Sequence, residues 1–310
     1  MYSVAIIGAG NIAAGFDDPE SKKILTHAHA VFDSDLFDLK GFFDIDKDKA
    51  ECASRKWKCY AYDSLERLVT GADVCVCCAP DQHHKAVIDS LVRFDPKVII
   101  TEKPLADNLD DAKELYDHFA GKTPIAVNYS RRFIPEFREI RNRLPQNGRL
   151  LKGVAYYGKG TFHNGSHMVD LLRFLFGGVV EAKRMNLEFT DMQGDPTCDA
   201  LLSAGDGTVY LVGIDSREVT IFEMDLLFEK GRIRILDGGQ KIELFEKGAS
   251  ADYVGYYNYK LSQTLDVDYS GALTGLYRNV YGFLNGKEEL LCSIDDGLEV
   301  LEVCGKIRGI

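Results

Sequence analysis

The sequence predicts an α/β fold in which an N-terminal doubly wound parallel sheet is followed by a C-terminal α+β domain with a mostly antiparallel open sheet. Three observations lead there. From residue 1 to about 127, continuous apolar runs alternate with helical patterns, the rhythm of strands covered on both faces by crossover helices. A glycine-rich turn, Gly8-Ala9-Gly10, follows the first apolar run directly. After a helical stretch ending near residue 144, the pattern becomes adjacent strands joined by Gly-containing turns, which make antiparallel hairpins.

Each element follows in order. "SVAIIGAG" is the first strand. "LKGFFDID" is the second, followed by the helical "DKDKAECASRKW". "ADVCVCCAP" leads into "DQHHKAVIDSLVRF", then "KVIITEKP" into "NLDDAKELYDHFA", and "PIAVNYS" closes the series. Residues 1–127 are expected to form one domain and residues 128–310 a second. In the second half, "RRFIPEFREIRNRL" reads as helix. "LKGVAYYGKG", "VEAKRMNLEF", "CDALLSAGDGTVYLVGID" and "VTIFEMDLLFEKGRIRILDGGQKIELFEKG" read as strands, turning at "AGDGT", "EKGR" and "DGGQ". "IDDGLEVLEVCGKI" is a final helix with acids in its first turn.

Bulk properties narrow the function. A chain of 310 residues exceeds the size at which single cores stop growing, so two domains are expected. A net charge of −11 is a poor match to a phosphate backbone, which excludes nucleic acid as the main partner. No apolar run reaches the roughly 18 residues of a membrane helix. "MYSVAIIGAG" lacks the charged region and cleavage site of a secretory signal, so a cytoplasmic protein is expected. Of eight cysteines, Cys75, Cys77 and Cys78 sit inside an apolar strand. They read as small hydrophobes, and the "CVCC" spacing lacks the second pair that zinc needs.

"AIIGAGNIA" places Gly8, Gly10 and Ala13 in a G-x-G-x-x-A pattern. The first glycine permits the tight turn, and the second lets backbone amides approach a pyrophosphate. Asn11 and Ile12 belong to the same loop, and the helix expected after it adds partial positive charge. The ribose partner should be an acid at the end of strand two, which is Asp44 in "GFFDID". Its distance from Gly8 exceeds the usual spacing of about 20 residues, and the polar insertion "FDDPESKKIL" accounts for the excess. A carboxylate there accepts from ribose hydroxyls and repels a 2′-phosphate, and Ile45 and Asp46 follow it rather than Arg or Lys. NAD is therefore expected over NADP.

"TEKPLA", residues 101–106, resembles the Glu-Lys-Pro segment of the Gfo/Idh/MocA oxidoreductases, and the resemblance runs along nearly the whole chain. "APDQHHKAV" is similar to the family's Pro-x-x-x-His segment, matching Pro80 and His84. "NYSRRFIP" is similar to the crossing into the second domain, "NGSHMVDLLRFLFG" to the Gly-x-His-x-x-Asp helix, and "SIDDGLEVLEV" to the C-terminal helix. The resemblance implies hydride transfer between a nicotinamide and a carbon bearing a hydroxyl. It places Pro80, His84, Glu102 and Lys103 at the cofactor, with Lys103 also beside the substrate hydroxyl. A lysine does acid/base work near neutrality where burial or cations disfavour its charge.

The family's second-domain motif usually reads Asp-x-x-x-His; here His163 stands at the aspartate and His167 at the histidine. Asp170, three residues on, lies near His167 on a helical face and either supplies the missing carboxylate or is a structural partner. His163 and His167 also have the i, i+4 spacing that can hold a metal on a helix. "HNGSH" reads instead as a turn and helix cap, and no third ligand is demanded, with His27 and His29 of "THAHAVF" the nearest candidates. No metal is expected.

The resemblance places Arg131, Arg132, Tyr156, Tyr157 and Lys159 in segments facing the cleft between domains. Arg131, Tyr157, Lys159 and His163 are the substrate-binding candidates, the arginine suiting a phosphate or carboxylate. Tyr256, Tyr257 and Tyr259 either stack on a sugar or base or fill a subunit interface, a homodimer or homotetramer being expected through the C-terminal sheet. The spelling is most similar to members acting on sugars or nucleotide-linked sugars. Two alternatives stay open: redox-neutral hydrolysis, elimination or epimerisation with retained NAD, and a non-catalytic NAD-binding sensor.

Overall fold

The computed structural model describes the backbone of residues 1–310 and all side chains except those of residues 179, 180, 186 and 187. The chain forms two compact units, Met1–Phe133 with Tyr269–Glu299, and Ile134–Asp268 with Val300–Ile310. The elements run in chain order as β1 Tyr2–Ile7, α1 His27–Phe32, β2 Phe37–Phe43, α2 Lys47–Trp57, β3 Tyr60–Ala61 and α3 Leu65–Val69. Next come β4 Val74–Cys77, α4 His84–Leu91, β5 Val98–Thr101, α5 Leu109–Phe119, β6 Ile125–Val127 and α6 Pro135–Arg143. Then follow β7 Leu150–Tyr157, α7 Ser166–Phe176, β8 Val179–Phe189, β9 Thr197–Ala204, β10 Gly207–Gly213 and β11 Phe222–Phe228. The chain closes with β12 Gly231–Leu236, β13 Lys241–Ala249, β14 Tyr257–Asp266, α8 Gly271–Leu284 and α9 Ile294–Arg308.

The first unit is a six-stranded parallel sheet in the order β3-β2-β1-β4-β5-β6. Every residue of β4 and β5 is buried, which is why those strands read as unbroken apolar runs. Side-chain caps start several of its helices: Asp46 accepts from the amides of Asp48 and Lys49, Ser64 from Arg67, and Asn108 from Asp111. Such caps are worth about 1 kcal/mol each. The order reverses between β1 and β4, so the ligand crevice of this sheet lies at the carboxyl ends of its strands. The unit also takes in α8, whose Tyr277 and Tyr281 rings lie 5.2 and 6.2 Å from Phe37. A bridge pairs Ala126 with Ser293.

One local expectation is corrected here. The helix anticipated directly behind the glycine turn is a single π-helical turn, Asn11–Gly15. Gly15, Asp17, Asp18 and Pro19 are poor helix formers, and the chain resumes a helix only at α1. Asp17 pins the intervening segment, accepting from Leu25 N (2.6 Å), Thr26 Oγ1 (2.6 Å) and His29 Nδ1 (2.8 Å).

The second unit is built on an eight-stranded sheet ordered β14-β13-β12-β11-β7-β10-β9-β8. All neighbours are antiparallel except β10 and β7. Along β11, residues alternate buried and half-buried, the pattern of a sheet packed on one face only. All eight cysteines are free thiols, and burial pushes those of Cys75 and Cys77 up to about 12. Among the described residues no helix is long and apolar enough to cross a membrane.

Candidate active site

The glycine turn is shaped by two different needs. Gly8 has φ +94°, and a Cβ there would lie 2.7 Å from the Cys78 carbonyl oxygen on β4's outgoing chain. Only glycine fits. A Cβ on Gly10, by contrast, would meet nothing within 4 Å. Gly10 leads directly into the Asn11–Gly15 turn, where Asn11 is exposed and Ile12 half-buried. Asp44, just past β2, accepts from Ala9 N at 2.7 Å and from Asp46 N at 2.9 Å. Its carboxylate is therefore held against the glycine turn at the carboxyl end of the sheet. The residues fit a dinucleotide: clear space above a glycine, backbone donors for a pyrophosphate and a fixed carboxylate for a ribose.

Past β5 and β4 lie the other cofactor candidates. Pro80 is exposed at the end of the chain leaving β4. His84 is fully buried, with Nδ1 2.7 Å from the Pro104 carbonyl oxygen and Nε2 2.9 Å from that of Ala79. It ties the two outgoing loops together rather than presenting a ring nitrogen to the crevice. Lys103 is half-buried. Burial holds its ammonium below the usual lysine range, opposed by the carboxylates of Asp81 and Glu102 and reinforced by Arg131. Arg131 is itself buried, its guanidinium 5.6 Å from the Tyr269 ring centre. Its neighbour Arg132 has a structural place, donating to the Leu291 carbonyl at 2.8 Å and pairing with Asp296 at 2.9 Å.

In the second unit, His163 sits in a π-helical turn, Gly160–Gly165, that runs into α7, and His167 is the second residue of α7. Both imidazoles are half-buried, and that of His167 meets the Phe222 ring edge-on at 6.5 Å. Asp170 is buried within α7. The side-chain cap expected from "HNGSH" is absent at Gly165. Asp195 supplies the cap from the loop before β9, a role that nothing in the local pattern signals. Its carboxylate accepts from Phe162 N (3.0 Å) and His163 N (2.8 Å). Arg308 lies over the Phe162 ring at 5.0 Å and 3.8 Å from Asp195.

Two substrate candidates take other places within this unit. Tyr157 is fully buried, its hydroxyl donating to the Cys198 carbonyl at 2.7 Å and accepting from Cys198 N at 3.0 Å. Its phenol is spent on the core. Lys159 is exposed, in left-handed conformation, with its amide on Asp191. Tyr256 and Tyr257 are exposed beside or on β14, an edge strand, while the Tyr259 hydroxyl donates to Phe228 O at 2.6 Å. His27 and His29 both belong to the first unit and are engaged there. Among the described residues no three His, Cys, Asp or Glu side chains gather as a metal ion would need.

A doubly wound sheet with a glycine turn, an acid after β2 and a lysine after β5 is the arrangement of a dinucleotide-binding unit. Residues 2–129 match the model of the Gfo/Idh/MocA family, described as an oxidoreductase family with an NAD-binding Rossmann fold. Over 142 residues the chain is 31% identical to the Salmonella typhimurium protein named "Putative oxidoreductase YceM", a match spanning 46% of this chain and 43% of that protein. The fold is similar to UDP-N-acetylglucosamine 3-dehydrogenase GnnA from Acidithiobacillus ferrooxidans, with TM-score 0.77 and 17% identity over 99% of this chain and 96% of that one. It is also similar to an oxidoreductase from Agrobacterium radiobacter in complex with NAD+, L-tartaric acid and magnesium, with TM-score 0.75 and 16% identity over 99% and 96%.

Proposed function

We propose that this protein is an NAD-dependent oxidoreductase that moves a hydride between nicotinamide and a hydroxyl-bearing carbon of a sugar, polyol or nucleotide sugar. Lys103 carries the reading. It stands at the carboxyl edge of the parallel sheet, where burial favours its neutral amine. When bound, nicotinamide supplies or accepts the hydride. A neutral Lys103 takes the hydroxyl proton as the carbon is oxidised, and its ammonium returns that proton in the reverse direction.

Gly8, Gly10, Asn11 and Ile12 would hold the pyrophosphate, and Asp44 the ribose, its charge disfavouring NADP. Pro80 and Glu102 line the same end of the sheet, with His84 bracing the loops behind them. In the second unit the candidates for substrate contact and proton relay are His167 and His163, with Asp170 beneath His167; Lys159 is exposed nearby in sequence, and Arg131 is the anion-binding candidate of the first unit. The similarity to a nucleotide-sugar dehydrogenase favours such a substrate through fold alone. The half-buried face of the eight-stranded sheet is the surface through which we expect a homodimer or homotetramer.

The test is to supply NAD with a panel of sugars, polyols and nucleotide sugars and follow nicotinamide absorbance. Reduction by one class, lost by about 10²–10⁴-fold in Lys103→Met with NADH affinity retained, is the expected result. Full turnover by Lys103→Met would remove Lys103 from the reaction.

A further inference from the structure

Two side chains remote in sequence converge on Glu102, the residue before Lys103, and a third backs one of them, none with a part in the reaction described above. His27, from α1, is fully enclosed. Its Nε2 donates to Glu102 Oε1 across 2.9 Å, and its Nδ1 lies 3.1 Å from the Tyr277 hydroxyl of α8. Asn128, just past β6 and 4% exposed, donates through Nδ2 to the same Glu102 Oε1 at 2.7 Å. A carboxylate oxygen only accepts, so these contacts put a proton on His27 Nε2 and turn the Asn128 amide nitrogen inward. The Tyr277 ring meets the His27 ring edge-on at 5.8 Å and fixes its plane.

We propose that His27, together with Asn128, is a positioning residue that holds Glu102 as the fixed counter-ion of Lys103. The inference rests on the reading of Lys103 as the proton-transfer group, but its test does not need a substrate. A carboxylate with two donors on one oxygen cannot swing away freely, and this pair holds it from α1 and from the end of β6.

Charge agrees with the geometry. Burial would raise the Glu102 carboxyl, but the bonds from His27 and Asn128 and the charge of Lys103 outweigh it and leave it below the usual range. An ionised Glu102 in turn supports the Lys103 ammonium, as Asp81 does, against burial and Arg131. Tyr277 stays a phenol because burial, with Cys78 and Glu102 close by, pushes its proton affinity well up. Without the His27 donor, Glu102 takes a proton more readily and Lys103 loses its support.

The experiment is competitive acetylation of the apo-protein by acetic anhydride across a pH series, with the Lys103 peptide quantified by mass spectrometry. His27→Leu is expected to lower the midpoint of Lys103 reactivity, so that labelling at a fixed pH below the wild-type midpoint rises about tenfold, the equivalent of one pH unit. His27→Gln keeps a donor and should follow wild type. Asn128→Ala removes the other donor and should shift the midpoint in the same direction, which keeps the test intact if His27→Leu does not fold. An unchanged or raised midpoint in a folded His27→Leu or Asn128→Ala protein would overturn the proposal and leave these residues as core packing. Failure of wild-type protein to bind NADH would strike the functional reading while leaving this result to stand.

Discussion

The backbone amide of Ala9 donates to Asp44 Oδ2 across 2.7 Å, joining the glycine turn to the end of β2 by a charge-assisted bond. The acid that would read the ribose therefore also holds the loop that would meet the pyrophosphate. Removing it should act on both. Asp44→Ala is expected to weaken NADH binding by about 10-fold to 100-fold, the worth of one or two hydrogen bonds to a charged group, and to narrow the preference over NADPH. Asp46→Ala is the contrast: Asp46 caps α2, so its loss should cost about 1 kcal/mol of stability and leave NADH affinity near wild type. Fluorescence titration and thermal melting separate the two.

The two glycines should fail in different ways. Gly8→Ala places a Cβ 2.7 Å from a carbonyl oxygen at φ +94°, and strain of this kind costs about 1–3 kcal/mol. Its melting temperature should fall. Gly10→Ala meets no neighbour, so the protein should melt as wild type does and lose affinity for NADH, because the added methyl occupies the space a pyrophosphate needs.

Lys103 should leave a signature in stability as well as in turnover. The folded chain binds its proton less readily than the unfolded one, so the unfolded state carries more protons between the folded value and the usual 10.5. Stability then rises with pH across that interval, and below it the folded state bears the whole cost of the buried ammonium. Lys103→Met removes this cost. The variant is expected to melt above wild type at neutral pH, with the gap closing as pH rises through the interval.

Asp195 should govern the turn that carries His163. Asp195→Ala strips the acceptor from two buried amides and should cost about 1–3 kcal/mol. Asp195→Asn keeps an oxygen acceptor and should cost less, and the order of the two melting temperatures checks the assignment.

Much of this was legible in the residues themselves. Continuous burial made β1, β4 and β5 readable as parallel strands, Gly8 and Gly10 form the turn after β1 and Asp44 follows β2, while Glu102-Lys103-Pro104 was singled out by resemblance alone. What local pattern could not carry was contact at long range. Tyr269–Glu299 packs with the first unit through α8 and the Ala126–Ser293 bridge, pairings that leave no periodic trace. β14 is exposed on both faces for most of its length, so it shows no alternation and is a strand only because β13 pairs with it. Tyr157 was a substrate candidate by resemblance, which does not reveal that Thr161 and Cys198 engage its hydroxyl. His27 drew attention only as a metal candidate, because its partners Glu102 and Tyr277 lie 75 and 250 residues away.

The most direct measurement is a titration of nucleotide-free protein with NADH and with NADPH, followed by nicotinamide fluorescence. Saturable binding of NADH, with NADPH weaker by the repulsion of Asp44, is the predicted result. Preference for NADPH would contradict the role given to Asp44, and binding of neither would contradict the account of this protein as an NAD-dependent oxidoreductase.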